Sequence, residues 1–165
     1  MIKAVIFDLF ETLVTEFDPD FTPPNPTIAE RLGIPEDVFL PLLRELDDDW
    51  QIGRFSGFDD LLRTLCRETG RDATDSTISD LVQERRVRLA PVFKNIDDEI
   101  VEMIQQIKSM GLQVAVVSNA SNTDVAGWPN SRIGAEVEHF ITSFEVGVLK
   151  PDPLIYERAL NVLGV

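Results

Sequence analysis

Two short apolar segments, far apart in the chain, restrict what this sequence can fold into. Ile2–Phe7 is rich in β-branched residues and stops at Asp8, and Leu112–Val117 stops at Ser118. Continuous apolar runs of this length are typical of strands that are covered on both faces, as the strands of parallel sheets are. Helical patterns separate the two segments, and this strand–helix alternation predicts an α/β fold with a parallel sheet.

Helical periodicity accounts for much of the remaining chain. A loop over 19–26 contains four prolines, Pro19 among them. Apolar residues then repeat at helical spacing in three segments, 38–50, 58–66 and, more weakly, 78–89. At Pro91 the pattern changes. The sequence then predicts a helix over 100–110, the second strand over 112–117, a short strand over 140–142 and a final helix over 154–163. We therefore predict a helical insert, residues 16–91, within an α/β core of residues 1–15 and 92–165.

The charge balance limits the partners that this chain can have. It contains 29 acidic and 15 basic residues, with a net charge of −14 at pH 7. A protein this acidic is repelled by phosphate backbones and anionic membranes, so we expect neither a nucleic acid nor a membrane as partner. No apolar run approaches the ~20 residues that span a bilayer, and the N-terminus does not resemble a signal peptide. The sequence favours a cytoplasmic protein.

Polar residues follow the predicted strands at positions where doubly wound α/β folds bind their ligands. Asp8 follows the first strand, Ser118 and Asn119 follow the second, and Lys150 lies in the loop beyond the third. This set suits covalent catalysis, with Asp8 as nucleophile, Ser118 as hydrogen-bond donor and Lys150 offsetting negative charge. From the pattern alone, an equally good interpretation is that Asp8 and Ser118 cap turns and that Lys150 is solvated.

Three short motifs resemble those of the haloacid dehalogenase (HAD) superfamily. Phe7–Leu13 resembles its first motif, Val116–Asn119 its second and Gly147–Tyr156 its third, in the right order. The resemblance implies a hydrolase with a Rossmann-like, doubly wound parallel sheet. It also implies that the helical insert is a cap over the active site.

The same resemblance implies roles for individual residues. Asp8 is similar to the nucleophile, Ser118 to the hydroxyl of the second motif and Lys150 to the base of the third. Substrate binding is expected at four further positions, namely Thr12, Asn119, Phe10 and Arg54, the last chosen among the arginines of the insert. The predicted ligands of any metal are the Asp8 carboxylate and the Phe10 carbonyl.

Phe10 departs from the pattern of the superfamily's phosphatases. Phosphatases carry a second Asp two residues after the nucleophile as general acid–base, and losing such a group typically costs ~10²–10⁴ in rate. Dehalogenases carry an aromatic residue there, because a departing halide needs no proton. We therefore expect dehalogenase-type rather than phosphatase chemistry on a small anionic substrate. The alternatives are a phosphatase of the same superfamily and a catalytically inactive binding or interaction module.

The fourth motif of the superfamily, which follows one more strand, is not found before Val165. This suggests a truncated chain in which strand 1 is an uncovered edge. We expect such a chain to self-associate through that edge, to be completed by a separate fragment or to be only marginally stable. In phosphatases the fourth motif completes a Mg²⁺ site. Asp8 and the Phe10 carbonyl alone form a poor one, since Mg²⁺ prefers six oxygens and usually more than one carboxylate. We expect Mg²⁺ only with phosphatase chemistry, and no cofactor with dehalogenase chemistry.

Overall fold

A computed structural model describes residues 1–18 and 20–165. Its centre is a three-stranded parallel sheet in the order β1 (Ala4–Phe7), β2 (Gln113–Ser118) and β3 (His139–Thr142). Phe7 pairs with Val116 and Ser118 with Thr142, so the carboxyl ends of all three strands lie at one edge. The three predicted strands are confirmed. Within the described residues β1 has a neighbouring strand on one side only, and self-association through it stays a prediction.

Eight α-helices accompany the sheet in the part of the chain that the structure describes. They are α1 (Ile28–Leu32), α2 (Glu36–Gln51), α3 (Phe58–Glu68), α4 (Asp75–Lys94), α5 (Asp98–Ser109), α6 (Arg132–Glu136), α7 (Ser143–Val146) and α8 (Pro153–Leu163). Five of them, α2 to α5 and α8, confirm the helices expected from periodicity. Among the described residues, no helix is both long enough and apolar enough to cross a membrane.

The two faces of β2 pack against different layers of helices. Val114 and Val116 belong to one buried cluster, which also contains Ile104 of α5. Ala115 and Val117 belong to a second cluster, which α8 covers. Burying apolar side chains on both faces contributes roughly 25 cal/mol per Å² of surface removed from water. The sheet is therefore doubly wound, as the sequence predicted.

Helices α1 to α4 share a third hydrophobic cluster, whose buried members all lie between Ala29 and Leu81. This cluster is separate from the two clusters on the sheet. It falls inside the predicted cap, residues 16–91, and the division of the chain into that cap and a core of residues 1–15 and 92–165 stays a prediction. Pro19, one of the four prolines of the predicted loop, lies outside the described residues.

Pro91 does not mark the end of a helix, contrary to the change of pattern that the sequence shows there. Helix α4 continues through Pro91 to Lys94. A proline inside a helix removes one hydrogen bond, whose acceptor here would be the carbonyl of Val87. Val87 is 63% exposed, so the missing bond lies at the exposed surface of α4. Phe93 then packs in the cluster on the sheet, and α4 extends from the cap cluster to the core.

Helix α1 is an element that the apolar periodicity does not indicate, because it has only five residues. The Thr27 hydroxyl accepts a 3.2 Å hydrogen bond from the Glu30 backbone, and the Glu30 carboxylate accepts one of 2.7 Å from the Thr27 backbone. This reciprocal pair is a capping box. Gly33, with a φ of 67°, ends the helix. The Thr-x-x-Glu spacing followed by glycine is the sequence signal that identifies α1.

Candidate active site

Asp8 lies directly after β1, at the carboxyl edge of the sheet. Its side chain is 49% exposed, and its Oδ1 accepts a 2.7 Å hydrogen bond from the backbone N–H of Leu9. The Leu9 carbonyl in turn accepts hydrogen bonds from the backbones of Leu13, at 2.8 Å, and Val14, at 3.1 Å. This tight turn fixes the chain after the strand, so the backbone orients a carboxylate that is open to solvent.

Lys150 reaches Asp8 from the loop between α7 and α8. Its Nζ lies 2.7 Å from Oδ1 of Asp8 and donates a 3.1 Å hydrogen bond to the Val117 carbonyl. The Lys150 side chain is only 19% exposed, so its charge is screened less than that of a surface lysine. The arrangement places a positive charge beside the carboxylate, where it can attract an anionic substrate.

Asn119 holds the backbone of the loop that carries Lys150. Its Oδ1 accepts a 2.7 Å hydrogen bond from the Lys150 N–H, and its Nδ2 donates one of 3.3 Å to the Lys150 carbonyl. Ser118, immediately before it, is the last residue of β2 and is 1% exposed. The structure thus brings Lys150 into direct contact with both Asp8 and Asn119, and Ser118 precedes Asn119 in the chain.

Phe10 and Thr12 lie in the turn after Asp8. The Phe10 ring is half-buried and packs edge-to-face on Phe93, with ring centroids 6.5 Å apart. Thr12 is exposed, and its backbone N–H donates a 3.3 Å hydrogen bond to the Leu9 carbonyl. Substrate binding by Phe10 and Thr12, and metal binding by Asp8 and the Phe10 carbonyl, stay predictions.

Arg54 lies in the loop between α2 and α3, inside the predicted cap. Its guanidinium binds Asp49 at 2.6 Å and is 65% exposed. The same loop contacts the chain after β2, where Nδ2 of Asn122 donates a 3.1 Å hydrogen bond to the Ser56 carbonyl. Arg54 is therefore carried by a loop that touches the segment following Ser118, and its role in substrate binding stays a prediction.

A group of charged residues between α4 and the segment after β2 is missed by the sequence analysis. Arg85 binds Asp124, and its guanidinium carbon lies 4.8 Å from the centre of the Phe58 ring. Asp124 also accepts hydrogen bonds from the Ser121 backbone, at 3.1 Å, and hydroxyl, at 2.7 Å. Burial and the negative charge of Asp124 raise the pKa of the nearby Glu16 above its usual value. The Ser-x-x-Asp spacing, typical of a side-chain-capped turn, is the signal that indicates Asp124.

The described residues do not by themselves fit a magnesium ion. Mg²⁺ prefers octahedral oxygen coordination, usually with more than one carboxylate. Within residues 1–18 and 20–165, no three His, Cys, Asp or Glu side chains are grouped to hold a metal ion. The Asp8 carboxylate is also bound by Lys150 and by the Leu9 N–H.

The fold is that of a HAD-like hydrolase, and comparison with known proteins agrees. The profile of the haloacid dehalogenase-like hydrolase family matches residues 2–165. The chain belongs to this family and is a hydrolase by that membership. It is 28% identical over 181 residues to the (S)-2-haloacid dehalogenase of Pseudomonas sp. strain YL, covering 99% of this chain and 70% of that protein.

Two solved structures illustrate the shared fold. The L-2-haloacid dehalogenase of Xanthobacter autotrophicus, with chloropropionic acid covalently bound, has a TM-score of 0.55 and 19% identity, covering 100% of this chain and 66% of that one. A HAD family enzyme of Bacteroides thetaiotaomicron, in complex with magnesium and inorganic phosphate, has a TM-score of 0.61 and 16% identity, covering 100% and 80%. At these identities the similarity is one of fold.

Proposed function

We propose that this chain uses Asp8 as a nucleophile on a small anionic substrate, with dehalogenation favoured over phosphate-ester hydrolysis. The observation that carries the proposal is the 2.7 Å distance between Lys150 Nζ and Asp8 Oδ1. A carboxylate beside a cation, at the carboxyl edge of a doubly wound sheet, is placed where such folds bind ligands. Lys150 and the Leu9 N–H both contact Oδ1, so we assign the attack to Oδ2.

The proposed reaction has two steps. Oδ2 of Asp8 attacks C2 of a 2-haloalkanoate, and the carbon–halogen bond breaks as the new carbon–oxygen bond forms, with the halide taking the bonding electron pair. Water then attacks the carbonyl carbon of the resulting ester, and the acyl–oxygen bond breaks. The products are a 2-hydroxyalkanoate, a halide ion and a proton, and the Asp8 carboxylate is restored.

Phe10 supports dehalogenation over phosphatase chemistry. The ring packs against Phe93 and carries no group that transfers a proton. The alcohol that leaves a phosphate ester gains from a general acid, whereas a halide leaves as a stable anion. The 28% identity to a protein named (S)-2-haloacid dehalogenase supports the same choice.

The remaining predicted residues act in catalysis, as Ser118 does, and in binding. Ser118, at the end of β2, donates a hydrogen bond to the reacting group, and Asn119 holds Lys150 through its backbone. Thr12 and Arg54 contact the substrate, Thr12 from the turn after the nucleophile and Arg54 from the cap loop. Both side chains are exposed, so an incoming substrate can reach them.

The replacement Asp8→Asn tests the covalent step. We expect the wild-type protein to release chloride from L-2-chloropropanoate, and Asp8→Asn to release none, because the amide keeps the shape but loses the nucleophilic oxygen. Asp80→Asn, on the exposed surface of α4, is the matched control and is expected to keep wild-type activity. Chloride release by an Asp8→Asn protein with a normal unfolding transition contradicts the proposal.

The choice of chemistry is tested with two substrates and a chelator. Under the proposal, chloride release continues in EDTA, and p-nitrophenyl phosphate is hydrolysed poorly with or without Mg²⁺. Rapid Mg²⁺-dependent hydrolysis of the phosphate ester without chloride release would establish the phosphatase instead. No turnover of either substrate class would favour an inactive binding module.

A further inference from the structure

Ser143, the first residue of α7, joins the predicted cap to the segment after β2. Its side chain is completely buried. The Ser143 Oγ lies 2.6 Å from the carbonyl oxygen of Gln51, at the end of α2, and accepts a 2.9 Å hydrogen bond from the Ala120 backbone N–H. Ala120 follows the Ser118–Asn119 pair. One hydroxyl therefore links the loop that leaves α2 to the loop that holds the active-site residues.

The α2–α3 loop also approaches α7 more closely than most residues would allow. A Cβ at Gly53 would lie 2.6 Å from the carbonyl oxygen of Phe144, and the φ of Gly53 is 79°. Only glycine adopts this conformation and this contact without strain. Ser56 of the same loop accepts the hydrogen bond from Asn122. The segment that carries Arg54 therefore contacts α7 or the chain after β2 at three residues, Gln51, Gly53 and Ser56.

We propose that Ser143 is a positioning residue, which sets the distance between the α2–α3 loop and the loop that carries Ser118 and Asn119. The hydroxyl has one proton, and it donates to the Gln51 carbonyl at 2.6 Å rather than to the Ala120 carbonyl at 3.3 Å. Its lone pair accepts the Ala120 N–H. Alanine at this position leaves the buried Ala120 N–H and the partly buried Gln51 carbonyl without this partner, which weakens the attachment.

The effect on catalysis rests on the proposed function. The α2–α3 loop carries Arg54, which is assigned to substrate binding, whereas Ser143 bonds to neither Asp8 nor Lys150. Loosening the loop is therefore expected to weaken substrate binding more than it slows the chemical steps. For Ser143→Ala we expect the KM for L-2-chloropropanoate to rise about tenfold and kcat to fall less than about threefold.

Ser131→Ala is the matched control for losing a buried hydroxyl. Ser131 is 4% exposed, and its Oγ donates to the Trp128 carbonyl and accepts from the Gly134 N–H, all outside the cap. We expect Ser131→Ala to leave KM close to the wild-type value. Equal KM changes in the two variants, or an unchanged KM in a folded Ser143→Ala protein, would overturn the positioning role.

Alanine replacements at two glycines of the predicted cap test the contact between the α2–α3 loop and α7. Gly53 and Gly70 both have positive φ, 79° and 63°, but no atom lies within 4 Å of a Cβ at Gly70. Alanine strains the backbone at both positions, and only at Gly53 does it push the loop away from α7. We expect Gly53→Ala to reproduce the KM increase of Ser143→Ala, and Gly70→Ala to change KM less than about twofold. Similar KM values for both glycine variants would contradict the proposal.

Hydrogen exchange supplies a measurement that does not depend on turnover. Amide exchange is followed by mass spectrometry in residues 50–58 and 119–122 of wild type, Ser143→Ala and Ser131→Ala. Faster exchange of both segments in Ser143→Ala alone supports the proposal, because the lost hydrogen bonds join these segments. Unchanged exchange in Ser143→Ala overturns it. If the wild-type protein releases no halide, the proposed function fails, whereas the exchange data still decide whether Ser143 positions the loop.

Discussion

Asn119 and Lys150 bind each other through two hydrogen bonds although 31 residues separate them in the chain. One amide side chain engages both the N–H and the carbonyl of Lys150, at 2.7 and 3.3 Å. The Nζ of the same lysine lies 2.7 Å from Asp8. The position of the amine beside the carboxylate therefore depends on an amide at the end of the neighbouring strand.

Asn119→Ala is expected to lower kcat/KM roughly 10- to 100-fold, because a displacement of about 1 Å at a reacting centre has effects of this size. The unfolding temperature is expected to change little. Chloride release from L-2-chloropropanoate, measured beside Asn130→Ala as the control for an exposed amide, checks the prediction. Wild-type activity in Asn119→Ala would show that Lys150 holds its position without this pair.

The two partners of the Arg85–Asp124 ion pair are expected to differ in their effect on stability. Asp124 is also bound twice by Ser121, whereas the buried Nε of Arg85 has no partner among the described residues. Removing Asp124 leaves the Arg85 guanidinium without its carboxylate partner. Removing Arg85 leaves the Asp124 carboxylate with its two hydrogen bonds from Ser121. We expect Asp124→Ala to lower the free energy of unfolding by about 2 kcal/mol and Arg85→Met by about 1 kcal/mol.

Urea unfolding of the two single variants and of the double variant measures this difference. The double variant is expected to be more stable than Asp124→Ala alone, since it removes the uncompensated charge. A larger loss in Arg85→Met than in Asp124→Ala would refute the argument.

Glu16 makes the stability of the protein depend on pH in a predictable direction. Burial, first, and the charge of Asp124 raise the pKa of Glu16 above its ordinary 4.5, partly offset by Arg88 at 3.8 Å. A carboxyl group whose pKa is higher in the folded than in the unfolded protein favours the folded state at pH values below its unfolded pKa. This contribution to stability is lost as the pH rises through the folded pKa. At about pH 7 Glu16→Gln is therefore expected to be more stable than wild type by about a few tenths of a kcal/mol, since the side chain is partly solvated.

Thermal unfolding at a series of pH values tests the prediction. The difference between Glu16→Gln and wild type is expected to vanish below about pH 4, where Glu16 is protonated. Glu157→Gln, on the exposed face of α8, is the control for replacing a glutamate. A Glu16→Gln protein that is less stable than wild type at neutral pH would show that the attraction of Arg88 outweighs burial.

Strand β1 makes self-association the expected behaviour of this chain. Its residues are all half-buried, and within the described residues it has a strand on one side only. Unpaired backbone groups along such an edge are a template for a second chain. Sedimentation velocity over a range of concentrations is expected to show a concentration-dependent dimer or larger species. A monomer at every concentration would disprove this.

Local sequence predicted the sheet and its polar edge well, because strand composition responds directly to burial on both faces. Ile2–Phe7 and Leu112–Val117 predict two strands, and parallel strands place their carboxyl ends at one edge. Asp8 and Lys150 were expected to lie near each other for this reason, and the structure places their charged atoms 2.7 Å apart. Pro91 was misleading, because α4 continues through it although a proline removes one hydrogen bond of the helix.

The sequence by itself determined the class of fold, the order of the three strands and five of the helices, and the residues at the end of each strand, all of which follow from local composition and spacing. Only the tertiary structure decided how the helical insert is attached to the site. Ser143 meets Gln51 across 92 residues, and Arg85 meets Asp124 across 39. Contacts of this kind leave no periodic pattern, because a serine or an arginine acquires its partner only when separate elements pack together.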